Sequence, residues 1–200
     1  MKSSRRYSMA TRSAQAERTR QRMVDATIGL ALTRPLAQCT LAAIAERADV
    51  SVQTILRAFG TRDALFDAAV AAARDDVITE RAAHIADVDE SLASIVDHYE
   101  RMGDGMLLLL GQEQVEPLAA EITHAGKVVH RQWVKQLFGQ ELARVAASER
   151  DEAIDILMAA TDIYAWKLWR RDAGRTVEET VHRFRVLVAA VVGRLTMGEE

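Results

Sequence analysis

A cluster of hydrogen-bonding side chains between residues 51 and 57 is the part of this 200-residue chain best suited to specific chemistry. Gln53 and Arg57 carry groups that can hydrogen-bond the edges of DNA bases. Ser51 and Thr54 add hydroxyl groups that can contact phosphates. This combination predicts a segment that binds double-stranded DNA.

Two short helices joined by a tight turn are predicted to position this cluster. Apolar residues recur at helical spacing over about 41–48 and 52–58. Thr40 and Ser51 each precede one of these helices and are good N-caps. Asp49 stands at the turn, where a left-handed residue is usual, and Asp tolerates that conformation better than most residues other than Gly. The pattern is typical of a helix-turn-helix.

The second of these helices is predicted to bury one face and to present the other to DNA. Its buried positions are Ile55, Ala58 and Phe59. The DNA-facing positions and the polar residues beside them are Ser51, Val52, Gln53, Thr54, Leu56 and Arg57.

The distribution of charge favours the same interpretation. The net charge of the whole chain is −3, but residues 1–62 carry eleven Lys and Arg against four acidic residues. The rest of the chain is correspondingly acidic. A basic segment on an acidic protein suits a polyanionic partner for that segment alone.

Residues 19–66 resemble the DNA-binding domain of the TetR (tetracycline-repressor) family, most clearly in Thr-Leu-Ala-Ala-Ile-Ala-Glu-Arg-Ala-Asp-Val-Ser-Val-Gln-Thr-Ile-Leu-Arg-Ala-Phe. The resemblance implies a homodimeric repressor that leaves a near-palindromic operator when a small molecule binds. It also implies that Thr40 and Arg62 contact phosphate. The chain departs from the family pattern at Leu56, where an aromatic residue is common, and at Ala58, where Tyr or His is common. Arg62 replaces the usual Lys and preserves its charge.

The fold class expected from the composition is all-α, because helix formers dominate and the chain has only two prolines and ten glycines. We expect residues 1–17 to be a basic disordered arm, 18–66 to be the helix-turn-helix DNA-binding domain (the head), and 67–200 to be the helical ligand-binding and dimerisation domain (the body). A helix over about 62–83 joins the head to the body. Further helices are expected at about 90–103, 105–114, 118–140, 149–172 and 177–197.

The last of these helices carries a continuous apolar seam. Its members are Val177, Val181, Phe184, Val188, Val191 and Leu195. With the preceding helix, it is predicted to form a four-helix interface with a second copy of the chain, as the resemblance implies. The alternative, that both helices complete the core of a single chain, stays open.

Aromatic, methionine and histidine residues of the body are predicted to line a cavity for a small, largely apolar effector, mainly on the strength of the resemblance. They are Tyr99, Met102, Met106, His130, Trp133 and Trp166. The other hypothesis is a DNA-binding adaptor or architectural protein whose body binds a protein partner.

Enzymatic and membrane functions are not expected. The five histidines show no metal-ligand spacing, and the single cysteine, Cys39, has no evident partner for nucleophilic catalysis. No phosphate-binding glycine motif is present, so we expect neither a cofactor nor a metal. No apolar run reaches the length of a signal peptide or a membrane span, which predicts a cytoplasmic protein.

Overall fold

The computed structural model describes the backbone of residues 2–196 and the side chains of residues 13–195. Every regular element in that range is helical, which confirms the all-α fold class. No helix within it combines the length and the apolar character that a membrane crossing requires. The α-helices are α1 (Lys2–Ala31), α2 (Leu41–Ala48), α3 (Val52–Phe59), α4 (Arg62–Ala82), α5 (Val88–Leu110), α6 (Pro117–Leu137), α7 (Gly139–Arg144), α8 (Arg150–Ala160), α9 (Ile163–Lys167) and α10 (Val177–Thr196).

The helix-turn-helix forms as predicted from local sequence signals. The hydroxyl oxygen of Thr40 accepts a hydrogen bond from the backbone N–H of Ala43 at 3.2 Å. Ser51 accepts one from Thr54 at 3.1 Å in the same way. Between the helices, Asp49 adopts φ 53° and ψ 55°, the left-handed conformation expected at the turn. Both caps and the turn therefore fix the angle between α2 and α3.

The first helix is much longer than expected. It begins at Lys2 rather than near Arg18, so the expectation of a disordered arm is wrong for residues 2–17. The reason is local, because neither Pro nor Gly occurs before Gly29 and Ala, Arg, Gln and Met are strong helix formers. Residue 1 lies outside the described residues.

Gly103 and Gly105, which lie where the expected helices 90–103 and 105–114 would meet, are inside the single helix α5. A Cβ atom at Gly103 would come within 2.5 Å of the Trp166 ring, and one at Gly105 within 2.6 Å of Leu32. Both positions are buried. The glycines therefore allow α5 to pack closely against α1 and α9, and they do not end the helix.

The single helix expected over 149–172 is broken after α8. The hydroxyl of Thr161 donates to the carbonyl oxygen of Leu157 at 2.9 Å. The side chain of Asp162 accepts a hydrogen bond from the N–H of Tyr164 at 2.9 Å and starts α9. Short polar side chains compete for the backbone in this way, and they interrupt an apolar pattern that would otherwise continue. A π-helical segment, Leu168–Asp172, follows α9.

Two hydrophobic clusters form the core of the described residues. The first joins α1–α4 and includes Leu109 and Ala119 from the body. The second joins α5 to α10 around Trp166 and Phe184. Since the first cluster takes residues from α5 and α6, the head is packed directly onto the body.

The apolar seam of α10 packs largely against its own chain. Phe184 is fully buried, and its ring makes an edge contact with Trp169 at 5.0 Å between centroids. Val188 is also buried in the body cluster. Phe184 and Val188 are therefore not available to a subunit interface, whereas Val177 is 37% exposed, because an apolar periodicity does not specify which surface covers it. Val186, on another face of α10, is 55% exposed.

Candidate DNA-binding surface and ligand cavity

The outer face of α3 is exposed at most of the predicted DNA-binding positions. Ile55 is fully buried and anchors the helix. Ala58 was expected to face inward but is exposed, because the core beneath α3 ends at Ile55 and Phe59. Among the predicted DNA-binding residues of this segment, the exposed ones are Ser51, Val52, Gln53 and Arg57, and the half-buried ones are Thr54 and Leu56.

Gln53 and Arg57 are the side chains of α3 whose hydrogen-bonding groups are not used within the described residues. Within residues 13–195, neither has a hydrogen-bond or ionic partner. By contrast, the hydroxyl oxygens of Ser51 and Thr54 lie 2.8 Å apart and are already hydrogen-bonded. Base-reading capacity on this helix is therefore concentrated in Gln53 and Arg57.

Arg20 of α1 holds the carboxyl end of α3, a role that the sequence analysis did not identify. Its Nη1 donates a hydrogen bond to the carbonyl oxygen of Ala58 at 3.0 Å. Its guanidinium carbon lies 4.0 Å from the ring centroid of Phe59. A cation at the carboxyl end of a helix is favourable because unpaired carbonyl groups collect there. No local signal predicts this pair, because the two residues are 38 positions apart in sequence.

Arg62, a predicted phosphate contact, is engaged within the chain. Its Nε donates to the carbonyl oxygen of Cys39 at 3.2 Å, and its Nη2 donates to that of Leu36 at 3.1 Å. The guanidinium carbon also lies 4.5 Å from the ring centroid of Phe66. Arg62 therefore fastens the turn before α2 to the start of α4. Thr40, the other predicted phosphate contact, is exposed and keeps its hydroxyl hydrogen for a donor role.

Cys39 is completely buried next to that turn. Burial raises the pKa of its thiol above the usual value, although Arg34 and Arg62 oppose the shift. A thiol with a raised pKa is a weak nucleophile, so Cys39 packs as a small apolar side chain.

A cavity of about 440 Å³ lies between α1, α4, α5 and α6, beside the link from α8 to α9. Small-molecule sites typically measure about 300–1,000 Å³. Four of the six predicted ligand-binding residues line this cavity, namely Tyr99, Met102, Met106 and His130.

Trp133 and Trp166 do not line the cavity but lie behind its wall. The indole of Trp133 stacks on His130 at 5.5 Å between ring centroids. The indole N–H of Trp166 donates to Glu100 at 2.6 Å, and its ring lies 6.0 Å from that of Tyr99. Both tryptophans therefore position residues that line the cavity.

The sequence analysis also missed Arg81, a buried arginine in the cavity wall. Its Nη1 lies 3.3 Å from Nδ1 of His130. Burial and then the charge of Arg81 lower the pKa of His130 to about 3, so the imidazole is neutral at pH 7. Arg81 stands among charged neighbours in the sequence, where an exposed side chain is the ordinary expectation.

Another buried histidine in the wall, His98, is paired with Glu80 at 3.1 Å. Arg101 hydrogen-bonds the same carboxylate from the outside. Burial and then the charge of Arg81 lower the pKa of His98, although Glu80 opposes the shift. The carboxylate of Glu80 is therefore shared between two groups.

Helix α4 borders both the helix-turn-helix and the cavity. Its first residue, Arg62, anchors the turn before α2, and its side chains from Phe66 to Arg81 form one wall of the cavity. The loop after α5 contacts the same turn, because the side-chain oxygen of Gln112 accepts a hydrogen bond from the N–H of Leu36 at 2.9 Å.

Residues 23–69 match the family model described as bacterial regulatory proteins, tetR family. This segment contains α2 and α3, and thus the whole helix-turn-helix. No curated protein sequence matches the chain significantly.

Solved structures of transcriptional regulators share the fold. A transcriptional regulator from Rhodococcus sp. Rha1 is 16% identical, with a TM-score of 0.64 over 88% of this chain and 96% of that one. A candidate transcriptional regulator from Pseudomonas aeruginosa PAO1 is 17% identical, with a TM-score of 0.67 over 88% and 91%. A TetR transcriptional regulator from Rhodococcus sp. RHA1 is 18% identical, with a TM-score of 0.52 over 92% and 99%. At these identities the likeness establishes the fold. The helix-turn-helix segment of this chain therefore belongs to the TetR family of bacterial regulatory proteins, and the chain as a whole has the fold of these transcriptional regulators.

Proposed function

We propose that the protein is a homodimeric repressor that acts in the cytoplasm and leaves a near-palindromic operator when a small, largely apolar molecule occupies the cavity. The observation that carries this proposal is the position of α4, which begins beside the helix-turn-helix and forms one wall of the cavity. A molecule in the cavity would contact the element that supports the DNA-binding surface.

The effector acts by binding the two conformations of the protein unequally. A ligand with equal affinity for the DNA-bound and the free conformations cannot shift the equilibrium between them. The proposed ligand therefore prefers a conformation in which α4 is displaced. Displacement of α4 would change the distance between the two copies of α3 in the proposed dimer. That distance must match one turn of DNA, about 34–36 Å.

Dimerisation is proposed through the outward faces of α8 and α10. Val186, Ala189 and Ala190 are exposed on α10, and Ile156 is 42% exposed on α8, which packs against α10. Apolar side chains of this size allow close helix packing, and a two-fold dimer would present two copies of α3 to successive major grooves. Gln53 and Arg57 are the proposed base contacts in each groove.

Genome-wide selection of bound DNA fragments tests the proposal first. We expect a short site with two inverted half-sites, and deletion of the gene should raise transcription next to that site. A drop in transcription would identify an activator. A site without inverted symmetry would contradict a dimer that binds DNA through both of its helix-turn-helix domains.

Titration of an effector with and without operator DNA tests the release mechanism. Thermodynamic linkage requires operator DNA to weaken the effector by the same factor as the effector weakens the operator. Equal effector affinity in the two titrations would show that the cavity does not control DNA binding. A protein that co-purifies with the body, with no small molecule stabilising it, would support the adaptor hypothesis instead.

A further inference from the structure

Arg81 places a positive charge at the wall of the cavity, and it has no negative partner there. The side chain is 9% exposed, and a guanidinium stays protonated at any ordinary pH. Within residues 13–195, no carboxylate lies within 4.0 Å of it. Its Nε is buried and has no hydrogen-bond partner.

The groups that do contact Arg81 are neutral. Nη1 of Arg81 lies 3.3 Å from Nδ1 of His130, which as a neutral imidazole accepts the hydrogen bond. The other ring nitrogen, Nε2, lies 3.1 Å from the hydroxyl of Thr161, and that hydroxyl donates to the carbonyl oxygen of Leu157. Since Thr161 uses its hydrogen on Leu157, the proton of His130 is assigned to Nε2. The Trp133 ring lies 5.3 Å from the guanidinium carbon. These contacts orient Arg81 without placing a carboxylate beside it. Burial lowers the pKa of its guanidinium, and the charges of Tyr99 and Glu80 oppose that shift without cancelling it.

The acidic side chains along the cavity are committed to other groups or exposed. Glu80 is held by His98 and Arg101. Asp162 caps α9 through the N–H of Tyr164. Asp76 is exposed. A buried cation without a counter-charge is costly, and an anion brought by a ligand would offset that cost.

Away from Arg81 the wall is mainly apolar. Met102, Met106, Leu109 and Ile122 line it. Nη1 of Arg81 contacts His130 and Nε is buried, so Nη2 is the nitrogen left for an acceptor from the cavity. A carboxylate suits this position because a hydrogen bond between a guanidinium and an ionised acceptor is stronger than one between neutral groups.

Building on the function proposed above, we propose that the effector is an amphipathic carboxylate, in which an acid group pairs with Arg81 and an apolar chain or ring fills the rest of the cavity. Arg81 selects for a negatively charged group on the ligand, and the apolar wall selects for an apolar remainder.

A matched series of probes tests this at pH 7.5. The acids are hexanoate, octanoate, decanoate and 4-phenylbutyrate, each compared with its alcohol and its primary amine of the same length. Isothermal titration calorimetry should give at least one acid that binds about tenfold or more tightly than its alcohol, with the amine weakest. Binding of the alcohol as tightly as the acid, or no binding of any acid at millimolar concentration, would overturn the proposal.

Arg81→Met shows whether this arginine is the cause. The variant should lose the preference for the acid over the alcohol, while Arg144→Met, which removes an exposed charge at the end of α7, should keep it. We expect Arg81→Met to melt at or above the wild-type temperature, because it removes a buried charge that has no carboxylate beside it. Retention of the acid preference in Arg81→Met would overturn the proposal. If this variant does not fold, the order of affinities of the wild type for acid, alcohol and amine tests the proposal on its own.

The same probes on operator DNA separate this inference from the proposed function. An acid that binds through Arg81 without weakening operator binding supports the carboxylate site and contradicts release by a ligand. An alcohol that binds as tightly as its acid and releases the operator supports release and contradicts the carboxylate site.

Discussion

The side-chain oxygen of Gln112 accepts a hydrogen bond from the backbone N–H of Leu36 at 2.9 Å, across 76 positions of sequence. The same amide donates from its nitrogen to the carbonyl oxygen of Leu108 at 2.8 Å, so both of its ends are fixed. Leu36 begins the turn that Arg62 holds from α4. One short turn thus receives contacts from α4 and from the loop that follows α5, and both of these helices line the cavity.

Removal of the Gln112 side chain should loosen this turn. Gln112→Ala leaves the buried N–H of Leu36 without an acceptor, and we expect the free energy of unfolding to fall by about 1–2 kcal/mol. Hydrogen exchange at the Leu36 amide, followed by NMR, should accelerate. Gln114→Ala, at an exposed position of the same loop, is the control and should change neither quantity. Unchanged exchange at Leu36 in Gln112→Ala would show that the contact does not restrain the turn.

Substitutions at Arg57 and Arg62 should distinguish the loss of base contacts from the loss of stability of the head. Arg57→Ala should weaken binding to the selected operator by about 1–3 kcal/mol, because Arg57 is exposed and has unused donors. Its free energy of unfolding should stay within about 0.5 kcal/mol of the wild type. Fluorescence anisotropy and urea unfolding measure the two effects.

Arg62→Ala should behave in the opposite way. It removes two hydrogen bonds to backbone carbonyl oxygens, so we expect a loss of about 1–2 kcal/mol in the free energy of unfolding, a value that allows for partial exposure. DNA binding should weaken through the loosened head. A variant of normal stability whose DNA binding depends less steeply on salt would instead identify Arg62 as a phosphate contact.

The proposed subunit interface can be tested at Val186. Val186→Asp introduces a charge at a position that is 55% exposed in the single chain, so the fold should survive while the dimer dissociates. Sedimentation velocity should show a monomer, and operator binding should be lost. Val128→Asp, at a 54% exposed valine of α6, is the matched control and should stay dimeric. A dimeric Val186→Asp protein would exclude this face of α10.

The neutral state of His130 predicts a loss of stability below neutral pH. The pKa of His130 is lowered to about 3 in the folded protein, against about 6.5 in the unfolded chain. Below pH 6.5 the unfolded chain binds the extra proton, so stability falls as the pH drops from 6.5 toward 3. Between pH 6.5 and 5.5, wild-type stability should fall by about 1 kcal/mol more than that of His130→Gln, whose amide can still accept and donate.

Urea unfolding at the two pH values measures this difference. His124→Gln, at an exposed histidine of the same helix, serves as the control and should follow the wild type. Parallel pH dependence of the wild type and His130→Gln would contradict a neutral buried His130.

The close crossing of α5 on α1 should be sensitive to a single methyl group. Gly105→Ala places a Cβ atom 2.6 Å from the backbone oxygen of Leu32, and we expect destabilisation by about 1–3 kcal/mol. Gly126→Ala, where a Cβ meets nothing within 4 Å, should instead stabilise α6 by up to about 1 kcal/mol. Thermal unfolding measures both. Equal melting temperatures for the two variants would mean that α5 does not depend on this close approach.

The sequence by itself determined the helix-turn-helix. The caps at Thr40 and Ser51 and the left-handed Asp49 act over three or four residues, so local chemistry specifies them without help from the rest of the chain. The capping box at the start of α10 is equally local, with reciprocal hydrogen bonds between Thr176 and Glu179. The cavity was expected mainly from the family resemblance, and four of the six residues named for it lie in its wall.

Features that depend on packing between distant parts of the chain were decided only by the tertiary structure. Gly103 and Gly105 look like helix breaks until Trp166 and Leu32 are placed against them. The seam at Phe184 is apolar whether it meets its own chain or a second one, so its periodicity cannot assign the partner. Arg81 carries no local sign of burial, because its environment is built by helices distant in sequence. Contacts of this kind depend on how helices cross, which no short segment specifies.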